Sequence, residues 1–368
     1  MNDPDTFAIT LPEGIDTPTV VVDLDVLERN IATWAARMRD RGVGLRPHTK
    51  TSKCVPIIQR QVAAGVVGLT VATLGEAEAL ADAGFDELFQ AYPVWAGRPD
   101  RARRLRALHE RVSLMVGVES VEAAAALGAA VAGAARPLPV LIELDPGLHR
   151  SGIAVGDVLA IARAASDAGL DVRGAFTFGG HGYATCDAAP DAGDDEVRTL
   201  AAAAELLTAA GFEPSVLSAG STPTALHSAR HPVTDERPGT YVFQDAQQVQ
   251  LGTAAMSEVA MAVAATVVAS HADGRFVLDT GSKAIAADRP AWAKGHGLLP
   301  AYPDAELRSL SEHHCVAWTT GPRPRVGDVI AVVPNHSCVV VNLVDELTVV
   351  QRGEVVDHWP VASRGRNS

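Results

Sequence analysis

The sequence predicts an α/β protein, a (β/α)8 TIM-type barrel with a second, mostly antiparallel β domain at the C-terminus, and three observations support this prediction. First, short apolar runs alternate with stretches of helical period between about residues 25 and 240, which favours βαβ units and a parallel sheet. Second, these runs number eight, as in a closed barrel, although a doubly wound open sheet is an alternative. Third, the chain after about residue 250 is rich in valine and interrupted by turn residues, which is typical of antiparallel strands.

The predicted elements have definite places along the chain. We expect strands at 43–46, 66–72, 87–92, 112–118, 139–145, 172–178, 214–220 and 232–238. We expect helices near 25–41, 53–64, 75–84, 97–109, 120–133, 155–168, 195–210 and 223–228. These elements predict a barrel domain over 25–250. The β domain is predicted to comprise 1–24 and 251–368, because the early run TPTVVVDL precedes the barrel rhythm.

Composition and charge argue against several classes of function. The chain has 368 residues, of which 44 are acidic and 31 basic, and its net charge of −13 disfavours nucleic acid or an acidic membrane surface as a partner. We expect no signal peptide in MNDPDTFAITLPEG, and no apolar run of about 18 residues predicts a membrane span. Four scattered cysteines indicate reduced thiols. We therefore expect a cytoplasmic protein whose partner is a small molecule.

Polar, turn-rich clusters follow most of the predicted barrel strands. Barrel enzymes build their active sites from the loops at the C-terminal ends of the strands, so these clusters are candidates for an active site. They are RPHTKT (46–51), Thr73, Gln90 with Tyr92, ELDPGLHRSG (143–152), GGHGY (179–183), SAGSTPT (218–224) and ERPGTY (236–241).

The last two clusters predict an anion site. SAGST and RPGTY each place glycine beside a hydroxyl residue, so that backbone N–H groups and hydroxyls can both approach an anion. The loops after strands seven and eight of a barrel are the usual phosphate site. Two ordinary glycine turns are the alternative. No GxGxxG or GxxxxGK[ST] motif is present, so a dinucleotide or P-loop site has no support.

Lys50 is the candidate for a covalent bond to a cofactor. The chain has four lysines, and Lys50 comes at the end of an apolar strand in PHTKT. A lysine amine in a barrel mouth of low dielectric is a usable nucleophile. Together with a phosphate site, this amine fits pyridoxal 5′-phosphate. The alternative is a surface lysine, and Lys53, three residues later, is expected to be one.

His336 and Cys338 form a candidate metal site in the β domain. They are two residues apart in PNHSCVVVN, so on a strand both face the same side. Imidazole and thiolate suit Zn²⁺ or a similar metal, and two protein ligands leave positions for water and substrate. A buried structural pair is the alternative.

Taken in order, these motifs resemble a known family. The series TPTVVVDLDVLERNI, PHTKT, VAT, EAEAL, GGHGY, SAGSTPT, ERPGTY and PNHSC is similar to the D-threonine aldolase and D-serine dehydratase family. These are alanine-racemase-like, fold-type III pyridoxal phosphate enzymes. The resemblance runs from about Thr17 to His358. It implies a barrel with a C-terminal β domain, a homodimer, and a divalent metal beside the cofactor, with Zn²⁺ first and Mn²⁺ second.

The resemblance also implies roles for particular residues. Lys50 is the lysine that binds the cofactor, Tyr183 lies against the pyridine ring, and Arg150 lies near its phenolic oxygen. His336 and Cys338 are the metal ligands. The phosphate ligands are Ser221, Thr222, Gly239 and Thr240, and the other cofactor-binding candidates are Thr73, Gln90 and Tyr241.

The function predicted from this resemblance is a lyase that uses pyridoxal phosphate and a divalent metal to act on D-3-hydroxy amino acids. Dehydratase members carry the His-x-Cys seen here, whereas aldolase members carry His-x-Asp, so Cys338 favours a dehydratase that gives a 2-oxo acid and ammonia. Retro-aldol cleavage to glycine and an aldehyde is the alternative function. His313 or His314 is the candidate for an extra base, and the alternative is that both are ordinary histidines of the β domain. Weaker alternatives are an amino-acid racemase, a pyridoxal phosphate carrier and a sugar-phosphate barrel enzyme.

Overall fold

The computed structural model describes residues 6–368. The strands are β1 (Thr19–Asp23), β2 (Gly44–Leu45), β3 (Leu69–Val71), β4 (Glu87–Gln90), β5 (Ser113–Val118), β6 (Pro139–Glu143), β7 (Asp171–Phe176), β8 (Val216–Ala219), β9 (Asp235–Glu236), β10 (Met261–Ser270), β11 (Arg275–Leu278), β12 (Gly297–Leu298), β13 (Glu306–Leu310), β14 (Cys315–Trp318), β15 (Val329–Pro334), β16 (Glu346–Gln351) and β17 (Glu354–Pro360). The α-helices are α1 (Leu24–Asp40), α2 (Val55–Ala63), α3 (Leu74–Asp82), α4 (Pro99–Arg111), α5 (Val121–Ala130), α6 (Val158–Asp167), α7 (Ala188–Ala209), α8 (Ala225–Ser228), α9 (Ala246–Gln250), α10 (Ser282–Ile285) and α11 (Ser337–Val341).

The chain forms two compact units whose limits differ from the predicted domain limits at 25 and 250. The first unit comprises Met1–Thr33, of which residues 6–33 are described, together with Thr51–Arg60 and Thr240–Arg364. The second unit comprises Trp34–Lys50, Gln61–Gly239 and Gly365–Ser368. Contacts that the sequence pattern does not reveal hold 51–60 in the first unit. One example is Arg60, which pairs with Glu28 and stacks on the ring of Trp359.

The second unit contains the predicted barrel sheet. Its eight strands are all parallel and follow the order β2-β9-β8-β7-β6-β5-β4-β3. The residues after β2 close the ring against β3, because His48 forms a parallel bridge with Thr70, and Thr49 N donates to the Thr70 carbonyl over 2.8 Å. The barrel prediction is confirmed, and the open-sheet alternative is wrong.

The observed barrel elements follow the predicted ones closely. Each of the eight expected strands overlaps an observed strand, and each expected helix overlaps an observed helix. Helix α7 differs most, since it begins at Ala188 and not at 195. Pro190 lies within its first turn, where proline is tolerated because the missing N–H has no helical partner there. Phe89 and Phe176 pack edge to face inside the barrel, with ring centroids 5.2 Å apart.

The first unit contains the predicted β domain. Its nine-stranded sheet has the order β13-β14-β11-β10-β1-β16-β17, and β15 pairs with β10 and β12. All pairings in this sheet are antiparallel except that of β1 with β16. Strand β1 therefore joins this sheet, as the sequence predicted. Within residues 6–368, none of the helices combines the length and apolar character that crossing a bilayer requires.

Candidate functional site

Lys50 lies on the C-terminal rim of the barrel, just after the closure at His48. Its Nζ is 5.9 Å from the centroid of the Phe178 ring, and the Arg150 guanidinium carbon is 4.6 Å from the same centroid. Phe178 follows β7, and Arg150 follows β6. The fold therefore brings together two residues that the sequence predicted to act on one cofactor.

His48 lies beside this lysine, two residues earlier in the same motif. Burial, together with the positive charges of Lys50 and Arg237, holds the pKa of His48 well below its ordinary value. Its Nδ1 is buried and has no hydrogen-bond partner among residues 6–368. His48 belongs to the RPHTKT motif, in which the sequence predicted a role only for Lys50.

Glu196 organises the two loops that follow β7 and β8. It is completely buried in α7, and its Oε1 accepts hydrogen bonds from Gly179 N and Gly220 N, both at 2.9 Å. Thr177 Oγ1 donates to Oε1 over 3.1 Å, and Thr224 Oγ1 donates to Oε2 over 2.7 Å. Hydrogen bonds to a charged group are the stronger kind. The sequence analysis missed Glu196, although an acid on the apolar side of an alanine-rich helix is a signal that could have found it.

The turn after β8 has the geometry expected of an anion site. Gly220 has φ +102, and a Cβ there would collide with the carboxylate of Glu236, so glycine is required. Ser221 N donates to Thr224 Oγ1 over 3.0 Å, which tightens the turn. Thr222 Oγ1 is buried and has no partner in the described part of the chain.

Several buried polar atoms along the barrel rim have no hydrogen-bond partner among residues 6–368. They include His48 Nδ1, Gln90 Oε1, Glu143 Oε2, Thr222 Oγ1 and Glu236 Oε2. Gln90 and Glu143 are the last residues of their strands, and burial raises the pKa of Glu143. A buried polar atom without a partner costs about 1–3 kcal/mol, so their presence on one rim points to a ligand. An amine, a glycine turn with a hydroxyl, and polar ring partners fit pyridoxal phosphate.

Arg237 is a further rim residue that the sequence analysis missed. It is buried and lies over the rings of Phe89 and Phe176, 5.8 and 5.3 Å from their centroids. It donates to Ser218 Oγ over 2.6 Å and to the carbonyl of Thr177. Its place directly before Pro238 in ERPGTY was the available signal, but the prediction took only the residues after the proline.

The remaining predicted cofactor residues have mixed surroundings. Thr73 begins α3 as its N-cap, accepting from Glu76 N over 3.1 Å and donating to the Arg366 carbonyl over 2.6 Å. A cofactor contact at Thr73 Oγ1 would therefore have to replace or share these two hydrogen bonds. Tyr183 ends a short 3-10 turn after β7. Gly239 is the last residue of its segment in the second unit, whereas Thr240 and Tyr241 are buried residues of the first unit.

The candidate metal pair lies at the start of a helix and not on a strand. His336 is the N-cap of α11, and Cys338 is the second residue of that helix. The strand placement is wrong because Asp245 Oδ2 accepts a hydrogen bond from Ser337 N over 3.1 Å, which caps a helix where the valine run predicts a strand. The helical turn still brings the pair together, since the side chains of His336 and Cys338 are hydrogen-bonded.

Asp288 orients the histidine of this pair. Its Oδ2 is 3.0 Å from His336 Nδ1, an arrangement that leaves Nε2 for a metal. Burial disfavours the imidazolium, but the charge of Cys338 and the hydrogen bonds with Asp288 and Cys338 outweigh it and raise the pKa of His336 to about 11. Surroundings that attract positive charge suit a divalent metal. Among residues 6–368 no cluster of three or more His, Cys, Asp or Glu forms a metal site.

The two candidate bases of the β domain lie in a hairpin turn. His313 and His314 are exposed between β13 and β14, where Ser311 N donates to the His314 carbonyl over 2.8 Å. The neighbouring Glu312 pairs with Lys283 at 2.8 Å. Exposure in a turn favours the alternative that both are ordinary histidines.

Comparison with known proteins identifies the family. Residues 22–247 match the model described as "Alanine racemase, N-terminal domain", and residues 260–350 match "Putative serine dehydratase domain". The first match spans more than half of the chain. The chain belongs to the alanine racemase N-terminal domain family. The predicted family is confirmed.

Two relatives place this family member among lyases. D-threo-3-hydroxyaspartate dehydratase from Delftia sp. strain HT23 is 37% identical over 348 residues, which are 88% of this chain and 91% of the relative. Its solved structure has a TM-score of 0.87 at 34% identity, covering 94% of this chain and 97% of that one. The structure of D-threonine aldolase from Filomicrobium marinum has a TM-score of 0.84 at 28% identity and covers 99% of each chain.

Two further structures of the dehydratase bear on the metal pair. In one a histidine is replaced by alanine. In the other a cysteine two residues further on is replaced by alanine, and this structure is described as the metal-free form. The spacing of those two residues is that of His336 and Cys338 in this family member.

We predict that Glu196→Gln destabilises the protein. The substitution replaces one carboxylate oxygen by an amide nitrogen, which cannot accept a hydrogen bond from the donors around it, and it removes the negative charge. The free energy of unfolding should therefore fall by about 2–4 kcal/mol. Urea unfolding measures the change. Glu205→Gln, on the exposed side of the same helix, is the matched control and should stay within about 0.5 kcal/mol of the parent. Equal stability of the two variants would contradict the role given to Glu196.

Proposed function

We propose that this protein is a pyridoxal phosphate- and divalent-metal-dependent dehydratase of D-3-hydroxy amino acids. The observation that supports it most is the pair of His336 and Cys338 on one helical turn, with Asp288 behind the histidine. The 37% identity to a D-threo-3-hydroxyaspartate dehydratase supports the same reaction. The candidate substrates are D-serine, D-threonine and D-threo-3-hydroxyaspartate. We further propose that the enzyme is a cytoplasmic homodimer and that its metal is Zn²⁺ or Mn²⁺.

The second unit supplies groups suited to hold the cofactor and move a proton. Pyridoxal phosphate, when bound, withdraws the electron pair left as the α-proton departs. Thr222 Oγ1 and the glycine turn at Gly220 suit its phosphate. Lys50 Nζ, half-buried beside Phe178, takes the α-proton of the substrate as a general base. Arg150, over the same ring, would hold the phenolic oxygen.

The first unit supplies a site that favours departure of the hydroxyl. His336 and Cys338 would hold a divalent metal, which would supply Lewis acidity for departure of the β-hydroxyl. The substrate loses its α-proton and β-hydroxyl as one water molecule. The unsaturated amine then takes up one water and releases ammonia, so the products are a 2-oxo acid and ammonia. Asp288 keeps the imidazole turned so that Nε2 stays available.

Retro-aldol cleavage is the second candidate function. The 28% identity to a D-threonine aldolase, with almost complete coverage, keeps it open. By the family resemblance, an aldolase carries aspartate where this chain has Cys338. The exposed turn position of His313 and His314 gives no support for the extra base that this cleavage uses.

The three candidate substrates separate the two functions. We expect the protein, incubated with each D-amino acid and with Zn²⁺ or Mn²⁺, to release a 2-oxo acid and ammonia, because Cys338 favours the dehydratase. Chelator-treated protein should show little activity. Chromatography of the dinitrophenylhydrazones distinguishes the oxo acid from the aldehyde, and separate assays measure ammonia and glycine. Aldehyde with glycine as the only products would overturn the dehydratase in favour of the aldolase.

Lys50→Ala is expected to abolish covalent cofactor attachment. Without the amine, borohydride should no longer fix pyridoxal phosphate to the chain, and turnover should fall by about 10²–10⁴-fold or more through loss of the general base. Mass spectrometry of the reduced protein provides the measurement. Lys283→Ala removes an exposed lysine paired with Glu312 and should behave like the parent. Undiminished attachment in Lys50→Ala would exclude this lysine.

Cys338→Asp is expected to change metal preference and product. A carboxylate favours Mn²⁺ over Zn²⁺ relative to a thiolate, so the ratio of Zn²⁺ to Mn²⁺ affinity should fall, and the share of aldehyde among the products should rise. Calorimetric titration with each metal and product analysis measure the two effects. Cys186→Asp, at an exposed cysteine, is the control. If affinity ratio and product both stay unchanged, Cys338 is not a metal ligand.

A further inference from the structure

Residues 51–53, which directly follow Lys50 in the chain, make two side-chain contacts with the metal-ligand helix α11 inside the first unit. Thr51 Oγ1 is 3.1 Å from Cys338 Sγ. Lys53 Nζ donates to Asn342 Oδ1 over 2.9 Å, and Asn342 is the C-cap of α11. The segment therefore contacts α11 at its first turn and again at its end.

This segment is held firmly in place. Thr51 and Lys53 are only 1% and 5% exposed, so the expectation that Lys53 is a surface lysine is wrong. Lys53 also has φ +48, in the left-handed region that costs a non-glycine residue energy. Its Nζ contacts the Ser363 carbonyl at 3.3 Å, and Ser363 N donates to the Lys53 carbonyl at the same distance. A buried ammonium in strained backbone persists only where its surroundings fix it.

The hydroxyl of Thr51 has one role when Cys338 binds a metal. A ligating cysteine is a thiolate and has no proton to donate, so Thr51 Oγ1 must be the donor to the sulfur. A hydrogen bond to the charged form of a group stabilises that form. It also lowers the energy of the sulfur electrons and fixes the direction in which Sγ points.

We propose that Thr51 is a positioning residue for the metal site: its hydroxyl orients the Cys338 sulfur and sets its strength as a donor. Thr51 touches neither the metal nor the substrate in this role. The inference rests on the proposed function, since it requires Cys338 to be a metal ligand. Groups that orient metal ligands in this way are typically worth 10–100-fold in metal affinity.

Two substitutions separate the hydroxyl from the rest of the side chain. Thr51→Val keeps the shape and removes the donor, whereas Thr51→Ser keeps the donor and removes a methyl group. Thr348→Val is the matched control, because Thr348 is also buried and its hydroxyl lies 3.5 Å from His358 Nδ1, on strand β16. Thermal unfolding of each variant reports whether it is folded.

The experiment titrates Co²⁺ into the chelator-treated protein loaded with pyridoxal phosphate. The parent should show a thiolate-to-cobalt charge-transfer band. In Thr51→Val the affinity for Co²⁺ should fall about 10–100-fold, and the band should move to longer wavelength because the sulfur electrons are no longer stabilised. Thr51→Ser should keep the parent band and affinity within about 3-fold, and Thr348→Val should match the parent.

The outcomes distinguish this inference from the proposed function. If the parent shows no charge-transfer band, Cys338 is not a ligand, and the proposed metal site fails together with this inference. If the parent shows the band and Thr51→Val matches it in wavelength and affinity, only the role of Thr51 is overturned. If Thr51→Ser loses as much affinity as Thr51→Val, packing of the methyl group and not the hydroxyl is responsible, which also overturns it.

Discussion

The closure of the barrel between His48 and Thr70 is the constraint on which the rest of the second unit depends. In a closed parallel sheet every strand ends on the same rim, so side chains far apart in sequence converge there. Lys50 comes two residues after the closing bridge, and its position follows from that bridge. Arg150 and Phe178 reach it only because β6 and β7 end on the same rim.

Each unit contains a buried carboxylate that fixes the loops around its own candidate residues. Glu196 accepts from two loop N–H groups and two hydroxyls in the second unit. In the first unit Asp245 accepts from Gln248 N over 3.0 Å and from Ser337 N over 3.1 Å, so one side chain caps both α9 and α11. Burial raises the pKa of Asp245, and the nearby His336 opposes that shift. A buried carboxylate with several N–H donors fixes backbone that would otherwise be mobile.

The proposed chemistry rests on residues whose polar atoms lack hydrogen-bond partners within the described part of the chain, or whose surroundings favour positive charge. The unpartnered atoms at Gln90, Glu143 and Thr222 are costly without a ligand. The pair of His336 and Cys338 attracts positive charge. Polar atoms of this kind lower the stability of the free protein but are available to a ligand, as is usual at functional sites. By contrast, the cluster of Phe89, Leu141 and Phe176 consists of buried apolar side chains, which have no polar atoms to satisfy.

Local patterns in the sequence determined the barrel, the second β domain and the positions of the rim motifs, because strand and helix periods and glycine turns depend on neighbours in the chain. Only the tertiary structure decided the rest. Cys338 lies on a helix because Asp245, distant in sequence, caps it. Lys53 is buried because Asn342 Oδ1 and the Ser363 carbonyl accept hydrogen bonds from its Nζ. Glu196 holds two loops through hydrogen bonds with Gly179 N and Gly220 N, which the helical period of the sequence does not predict. Hydrogen bonds between residues far apart in the chain leave no periodic trace, so a single sequence cannot reveal them.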